Sequence, residues 1–124
     1  MLDMPHTVAS LPVRLLREEE HELICFLLSG EQKNKKLEGM LVKSRVVDMQ
    51  DGGMGSIRFV GSEARTFGKV AAEAQYVDSD GVLVLITVNT DKENQLFEVD
   101  FWKVDFSPLK RYPKYSELAV KPMV

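Results

Sequence analysis

The densest cluster of chemically suggestive residues is Asp51-Gly52-Gly53-Met54-Gly55-Ser56, three glycines in four positions between two apolar runs. Glycines let backbone N–H groups converge on an anion, which is how phosphate-binding loops work. Neither the P-loop nor the dinucleotide spacing is present and no helix pattern follows, so a hairpin turn with a bulge is expected here. A second cluster is carboxylate-based: Glu98 and Asp100 alternate with apolar neighbours and are expected on one wet sheet face with Glu73 and Arg58. Two carboxylates with a flanking cation can serve glycosidic or metal-assisted hydrolysis, and the same arrangement makes ordinary cross-strand ion pairs, the reading favoured here. Nucleophilic chemistry has less support. Cys25 sits between Ile24 and Phe26 as a small buried hydrophobe would, and His21 lies among Glu20 and Glu22. His21 and Cys25 are spaced as two metal ligands on one helix face, but no second pair completes a site, and neither a metal nor a cofactor is called for.

These residues need elements to hold them. Leu16, Leu23, Ile24, Leu27 and Leu28 recur at helical spacings, and the pattern predicts a helix from about Arg17 to Ser29. Glu18, Glu19 and Glu20 suit the positive end of its dipole, and Gly30 stands where a C-terminal cap is wanted. The polar run 31–36 reads as a surface loop. Five strands are then expected: Leu41–Met49, Met54–Val60, Lys69–Val77, Val82–Val88 and Leu96–Lys103. Ala72, Ala74 and Tyr76 share one side of the third, and Val82–Val88 is apolar enough to lie mid-sheet. In the fifth, Phe97, Val99 and Phe101 oppose Glu98, Asp100 and Trp102. Paired in chain order, these give an α+β fold: one N-terminal helix on an antiparallel meander sheet, with an extended C-terminal tail.

The tail has its own charge. Lys103, Lys110, Arg111, Lys114 and Lys121 oppose only Asp105 and Glu117, so residues 103–124 carry +3 while the whole chain carries -3. The remainder is therefore at -6, and a tail folded onto its acidic body is favoured over RNA or single-stranded DNA binding through Tyr112 and Tyr115. Trp102 needs a cover on its side of the sheet, for which the stretch Phe106–Tyr112 is the candidate; burial at roughly 25 cal/mol per Å² of apolar area favours packing. The alternative is that Trp102, Phe106 and Tyr112 form an exposed aromatic patch for a partner.

Length and composition bound the rest. At 124 residues, 44% hydrophobic and 28% charged, the chain is expected to form one soluble domain over 1–124, with residues 1–12 a flexible end and 106–124 the tail. No run is long and apolar enough to span a bilayer, and no secretory signal is read at the N-terminus. A single cysteine excludes an internal disulfide and favours a cytoplasmic setting.

Three blocks carry a resemblance: Arg14, Leu16, Glu19 and Glu20 at the helix start, Asp51 through Ser56, and Phe97-Glu98-Val99-Asp100-Phe101-Trp102-Lys103-Val104-Asp105-Phe106-Ser107-Pro108-Leu109. In these the chain resembles, over most of residues 14–113, a family of small, mostly bacterial proteins catalogued as a domain of unknown function. The resemblance implies no activity and assigns no catalytic or binding residues.

The function expected from these residues is a non-catalytic protein-binding module, of the immunity type in its most concrete form, in which a small acidic protein meets a basic enzyme. The candidate binding residues are Arg58, Glu73, Glu98, Asp100, Trp102 and Tyr112. A metal-assisted hydrolase using Asp48, Asp51, Glu73, Glu98 or Asp100 is the competing expectation, and self-association into a homodimer through a sheet face or edge is the third.

Overall fold

A computed structural model describes residues 12–29, 41–61 and 66–121. The expected flexible end, the cap at Gly30 and the loop at 31–36 lie outside these, apart from Pro12. Strand β1 (Arg14–Leu15) leads into helix α1 (Glu18–Ser29), and a 3-10 turn at Leu41–Lys43 precedes β2 (Arg45–Asp48). Then come β3 (Ile57–Phe59), β4 (Phe67–Val77), β5 (Leu83–Asp91) and β6 (Leu96–Lys103). A second 3-10 turn, Tyr115–Glu117, leads to β7 (Ala119–Lys121). Among the described residues, one helix packed on an antiparallel sheet gives the expected α+β architecture, but the sheet has seven strands, not five.

Both additional strands are too short to show a period. β1 has two residues and pairs with β2 through Arg14↔Val46 and Leu15↔Arg45. β7 is wholly exposed and is a strand only because Ala119–Lys121 pairs with Gln75–Glu73 on β4. The part of the first expected run around Leu41–Lys43 winds as a 3-10 turn, so β2 begins only at Arg45.

The strand order is β1-β2-β3-β6-β5-β4-β7, every pair antiparallel. Pairing in chain order therefore fails at one point: β3 lies beside β6, through Ile57↔Val99 and Arg58↔Glu98, and not beside β4. β6 thus takes the centre, and seven of its eight residues are buried or half-buried. β5 is also interior, between β6 and β4, as its apolar run requires.

One face of this sheet and α1 enclose the core. Leu23, Ile24, Leu27 and Leu28 of α1 meet Val46, Ile57, Phe59, Ala72, Ala74, Tyr76, Val84, Ile86, Val88, Val99 and Phe101. A register shift between Asn89 and Thr90, opposite Glu98 and Leu96, modifies the alternation in β6. Leu96 joins the core, whereas Phe97 leaves the set expected for it and lies under the Arg58 guanidinium, 5.3 Å from Cζ to the ring centroid. The helix start is secured by Glu20, a buried carboxylate. It accepts the Arg17 backbone N–H at 2.8 Å, one half of a capping box, and a two-pronged pair of bonds from Arg14 at 2.8 and 2.9 Å. Arg14 also bonds Asp48 at 2.7 Å, tying β1, α1 and β2 together.

Candidate functional site

The tail takes a different side from the one expected, and this decides which surface is open. Phe106, at φ 65°, turns the chain back after β6. From there Leu109, Tyr112 and Leu118 pack against the core on the helix side. The Tyr112 ring lies 5.4 Å from Phe101, and the Tyr115 ring lies 5.2 Å from Phe26 of α1. Trp102 points to the opposite face, is 51% exposed, and has Phe106 as its ring neighbour at 6.2 Å. The expected cover of Trp102 by Phe106–Tyr112 is thus confined to Phe106, itself 68% exposed.

A buried cation sends the tail this way. Lys103 shares the core side with Phe101 because it sits two residues further along β6, and its side chain has no exposed surface. Its Nζ donates to Asp78 Oδ2 at 2.9 Å, to Asp80 Oδ2 at 2.6 Å and to the Pro108 carbonyl at 3.0 Å. Asp78 also accepts the backbone N–H of Ser79 and of Lys110. Burial by itself pushes the Asp78 carboxyl up, but the bonds from Lys103, Lys110 and Ser79 outweigh it and bring it down to about 2. The β4–β5 turn, the end of β6 and the start of the tail are joined at this one point.

The glycine segment meets the same piece of tail. Gly52, Gly53 and Gly55 all have positive φ. A Cβ on Gly53 would come within 3.2 Å of Pro108, and one on Gly55 within 3.1 Å of Leu109, while Leu109 N–H donates to the Gly53 carbonyl. The N–H groups of Met54 and Ser56, which an anion would need, are already bonded to the Asp51 carboxylate. This segment is a seat for the tail, in line with the expected turn.

Five of the six sequence-derived candidates share the open face. Glu98, Asp100 and Trp102 form one row along β6; Arg58 lies across from Glu98, and Glu73 lies beyond Thr87 from Asp100. Tyr112 is on the other side, lining a groove of about 430 Å³ between α1 and the tail with Glu19, Glu22, Pro113 and Tyr115. At one end the open face is apolar, with Val77, Leu83, Leu85, Trp102, Val104 and Phe106 half-buried or exposed. Its middle is charged. Arg58 bonds Glu98 Oε2 through both Nε and Nη2, and Lys121 pairs with Glu73 at 3.5 Å.

Asp100 differs from its neighbours. Among the described residues it has no ion-pair partner; its one side-chain bond comes from Asn89 Nδ2 at 3.2 Å. Burial, and then the Glu98 charge, hold its carboxyl above the ordinary range. Asn89, 5% exposed and directly across from Glu98, keeps a buried Oδ1 with no hydrogen-bond partner. The alternation pattern could not single out Asn89, because it ends an apolar run as any strand terminus does. The other carboxylates of the hydrolase expectation are not brought together: Asp48 pairs with Arg14 on the helix side, Asp51 is engaged in its turn, and Glu73 is two strands from Asp100. Among the described residues no three His, Cys, Asp or Glu side chains gather to hold a metal, although His21 Nδ1 and Cys25 Sγ are 3.6 Å apart. No described helix is long and apolar enough to cross a membrane.

No curated protein and no solved structure matches the chain. The blocks at 51–56 and 97–109, which meet where Gly53 and Gly55 receive Pro108 and Leu109, both fall inside a single family match over residues 13–113, and the chain belongs to that family, the domain of unknown function DUF6984.

Proposed function

We propose that the chain is a non-catalytic protein-binding module that meets a basic partner through the open face of the sheet. The observation that carries this reading is the half-exposed Trp102, set beside Phe106 at the apolar end of a charged row. Exposed aromatic anchors next to paired charges are the composition of interface centres, and Trp ranks among the side chains that contribute most there. The residual charge favours a cationic partner, since Arg58 and Lys121 are each paired while Asp100 has no ion-pair partner among the described residues. An immunity-type role, sequestering a basic toxin enzyme in the cytoplasm of a bacterium, is the concrete form of this reading.

The test is partner capture from native cells with the wild-type chain and with Trp102→Ala, followed by hydrogen-exchange mapping of the complex. Loss of the partner in the variant, with protection of β6 in the wild type, is expected. Equal capture by both, or protection confined to the groove beside Tyr112, would sink the reading. A homodimer through the same face would show instead as a solution mass that doubles with concentration. Metal-assisted hydrolysis draws on one observation, the raised Asp100 carboxyl, and predicts a higher melting temperature with Mg²⁺, Mn²⁺ or Zn²⁺.

A further inference from the structure

Among the described residues Arg14 and Arg17 bond Glu20, Arg58 bonds Glu98 and Arg111 bonds Glu117, whereas Arg45 has no carboxylate partner. Arg45 instead lines a pocket of about 360 Å³ that opens where β2 begins, β3 ends and β6 begins. Lys43, also without an ion-pair partner among the described residues, lines it from the preceding 3-10 turn, and Ser44 and Gln95 complete the polar part. Phe59, Val60 and Leu96 form the apolar part, with Val60 41% exposed. No carboxylate is among the described lining residues, so the pocket gathers two positive charges in a chain whose formal charge is -3. The backbone that carries these groups is fixed. Val60 N–H donates to the Arg45 carbonyl at 2.8 Å, Ser44 N–H to the Leu41 carbonyl at 3.1 Å, and Gln95 N–H to Asp91 Oδ1 at 3.0 Å. Donors carried on a fixed backbone lower the ordering cost of binding.

We propose that this pocket binds the phosphoryl group of a small phosphate monoester, with the organic part of the ester against Val60. A guanidinium fork and an ammonium supply the charge, and a hydroxyl and a side-chain amide supply further donors, the set that a doubly charged tetrahedral anion uses. A nucleic acid is disfavoured, because two cations at one pocket make too short a track for a polyanion and the net charge of the chain is negative. The pocket lies at the Leu96 end of β6, roughly 20 Å along the strand from Trp102 at about 3.4 Å per residue, and so stands independently of the protein contact proposed there.

The experiment is a nuclear magnetic resonance titration of the full isotope-labelled chain with phenyl phosphate, benzenesulfonate and inorganic phosphate, at matched ionic strength. At pH 7.5 phenyl phosphate is expected to shift the backbone signals of Ser44, Arg45, Val60 and Leu96 saturably, roughly tenfold more tightly than the singly charged sulfonate. Its affinity is expected to fall about tenfold between about pH 7.5 and pH 5, because the second phosphate proton binds near pH 6. Arg45→Met removes no ion pair among the described residues, and is expected to leave Tm within about 2 °C of wild type while weakening phenyl phosphate about tenfold. No saturable shift at these positions, equal affinity for the sulfonate, or unchanged affinity in Arg45→Met would each overturn the proposal. The wild-type comparison of phosphate with sulfonate, and its pH dependence, decide by themselves if the variant misfolds. Inorganic phosphate binding as tightly as phenyl phosphate would overturn the assignment to an ester. Tighter binding of Nα-acetyl-phosphotyrosine N-methylamide, or of phosphatidic acid vesicles, than of phenyl phosphate would place the phosphoryl group on a protein or a lipid and overturn the small-ligand assignment.

Discussion

Replacing Asp78 by Asn tests whether one buried carboxylate joins the β4–β5 turn, β6 and the tail. Asp78 Oδ2 accepts from Lys103 Nζ at 2.9 Å and from Lys110 N–H at 2.8 Å, and Oδ1 accepts from Ser79 N–H at 2.7 Å. An amide has the same shape but one acceptor oxygen, so its NH₂ group must confront at least one of these donors. Breaking a buried ion pair costs about 3–5 kcal/mol, and the lower end applies because Asp80 stays bonded to Lys103. For a domain of this size about 3 kcal/mol corresponds to a fall in Tm of roughly 10–15 °C, read by calorimetry at neutral pH. The acid limb supplies a second measure. The Asp78 carboxyl is lowered to about 2 from 3.8, so its stabilisation is complete above the ordinary value and is lost as pH falls through the lowered one. The wild type should lose stability between about pH 4 and pH 2 more steeply than the variant. Trypsin should also cut the variant first at Lys110, Arg111 or Lys114, since the carboxylate that holds the Lys110 backbone is gone. A Tm within about 3 °C of wild type, with an unchanged acid limb, would refute the reasoning.

Other substitutions separate the remaining contributions. Gly52 and Gly55 both have positive φ, but a Cβ on Gly52 meets nothing within 4 Å while one on Gly55 meets Leu109 at 3.1 Å. Urea denaturation should give a loss of about 1 kcal/mol for Gly52→Ala and about twice that for Gly55→Ala, and equal losses would remove the role assigned to tail packing. Arg14→Met leaves the buried Glu20 with Arg17 as its remaining cation, and should cost about 2–3 kcal/mol in the same assay. Asp100→Asn should act in the opposite direction. Because the folded state raises the Asp100 carboxyl, its charge opposes folding at neutral pH and the penalty fades as pH falls through the raised value. The variant is expected to melt no lower than wild type at pH 7 and to lose any advantage near pH 3, whereas a lower Tm at pH 7 would show that the charge is stabilising.

Where the sequence carried a full period, it located the elements closely. The helix begins one residue from its expected start, and β6 runs over the expected Leu96–Lys103, because each has enough turns or alternations to identify its buried side. Phe97 was misplaced by a single-residue bulge, which changes the parity only at the Leu96 end of β6 and leaves no mark in composition. β1 and β7 were illegible because two or three residues have no period, and their strand character comes from partners far along the chain. Arg58, Glu73, Glu98, Asp100 and Trp102 were placed together by alternation alone. The wrong strand order did little harm to that grouping, since face is set by parity along each strand and order only sets distance. Asn89 was invisible for a different reason: an unpartnered oxygen is a property of three-dimensional packing, and asparagine directly after an apolar run ordinarily reads as the start of a turn, whereas β5 continues through it to Asp91.

The charge asymmetry between tail and body takes on a definite meaning once its contacts are known. Lys103 meets Asp78 and Asp80 on the helix side, Lys121 meets Glu73, and Arg111 meets Glu117 within the tail. Three of the five basic residues are therefore used in binding the tail to the body or to itself, which weakens the case for this segment as a nucleic-acid strip. The neutralisation is uneven over the surface. It is strongest around Lys103, whose side chain has no exposed surface, and among the described residues it stops short of Asp100 in the middle of the open sheet face. Among the described residues Asp100 has no ion-pair partner and lies beside an amide oxygen with no donor, so positive charge is locally sparse there. The adjoining Trp102 and Phe106 add apolar surface beside that carboxylate, which is the pairing of apolar anchor and negative charge on which the proposed contact with a basic partner draws.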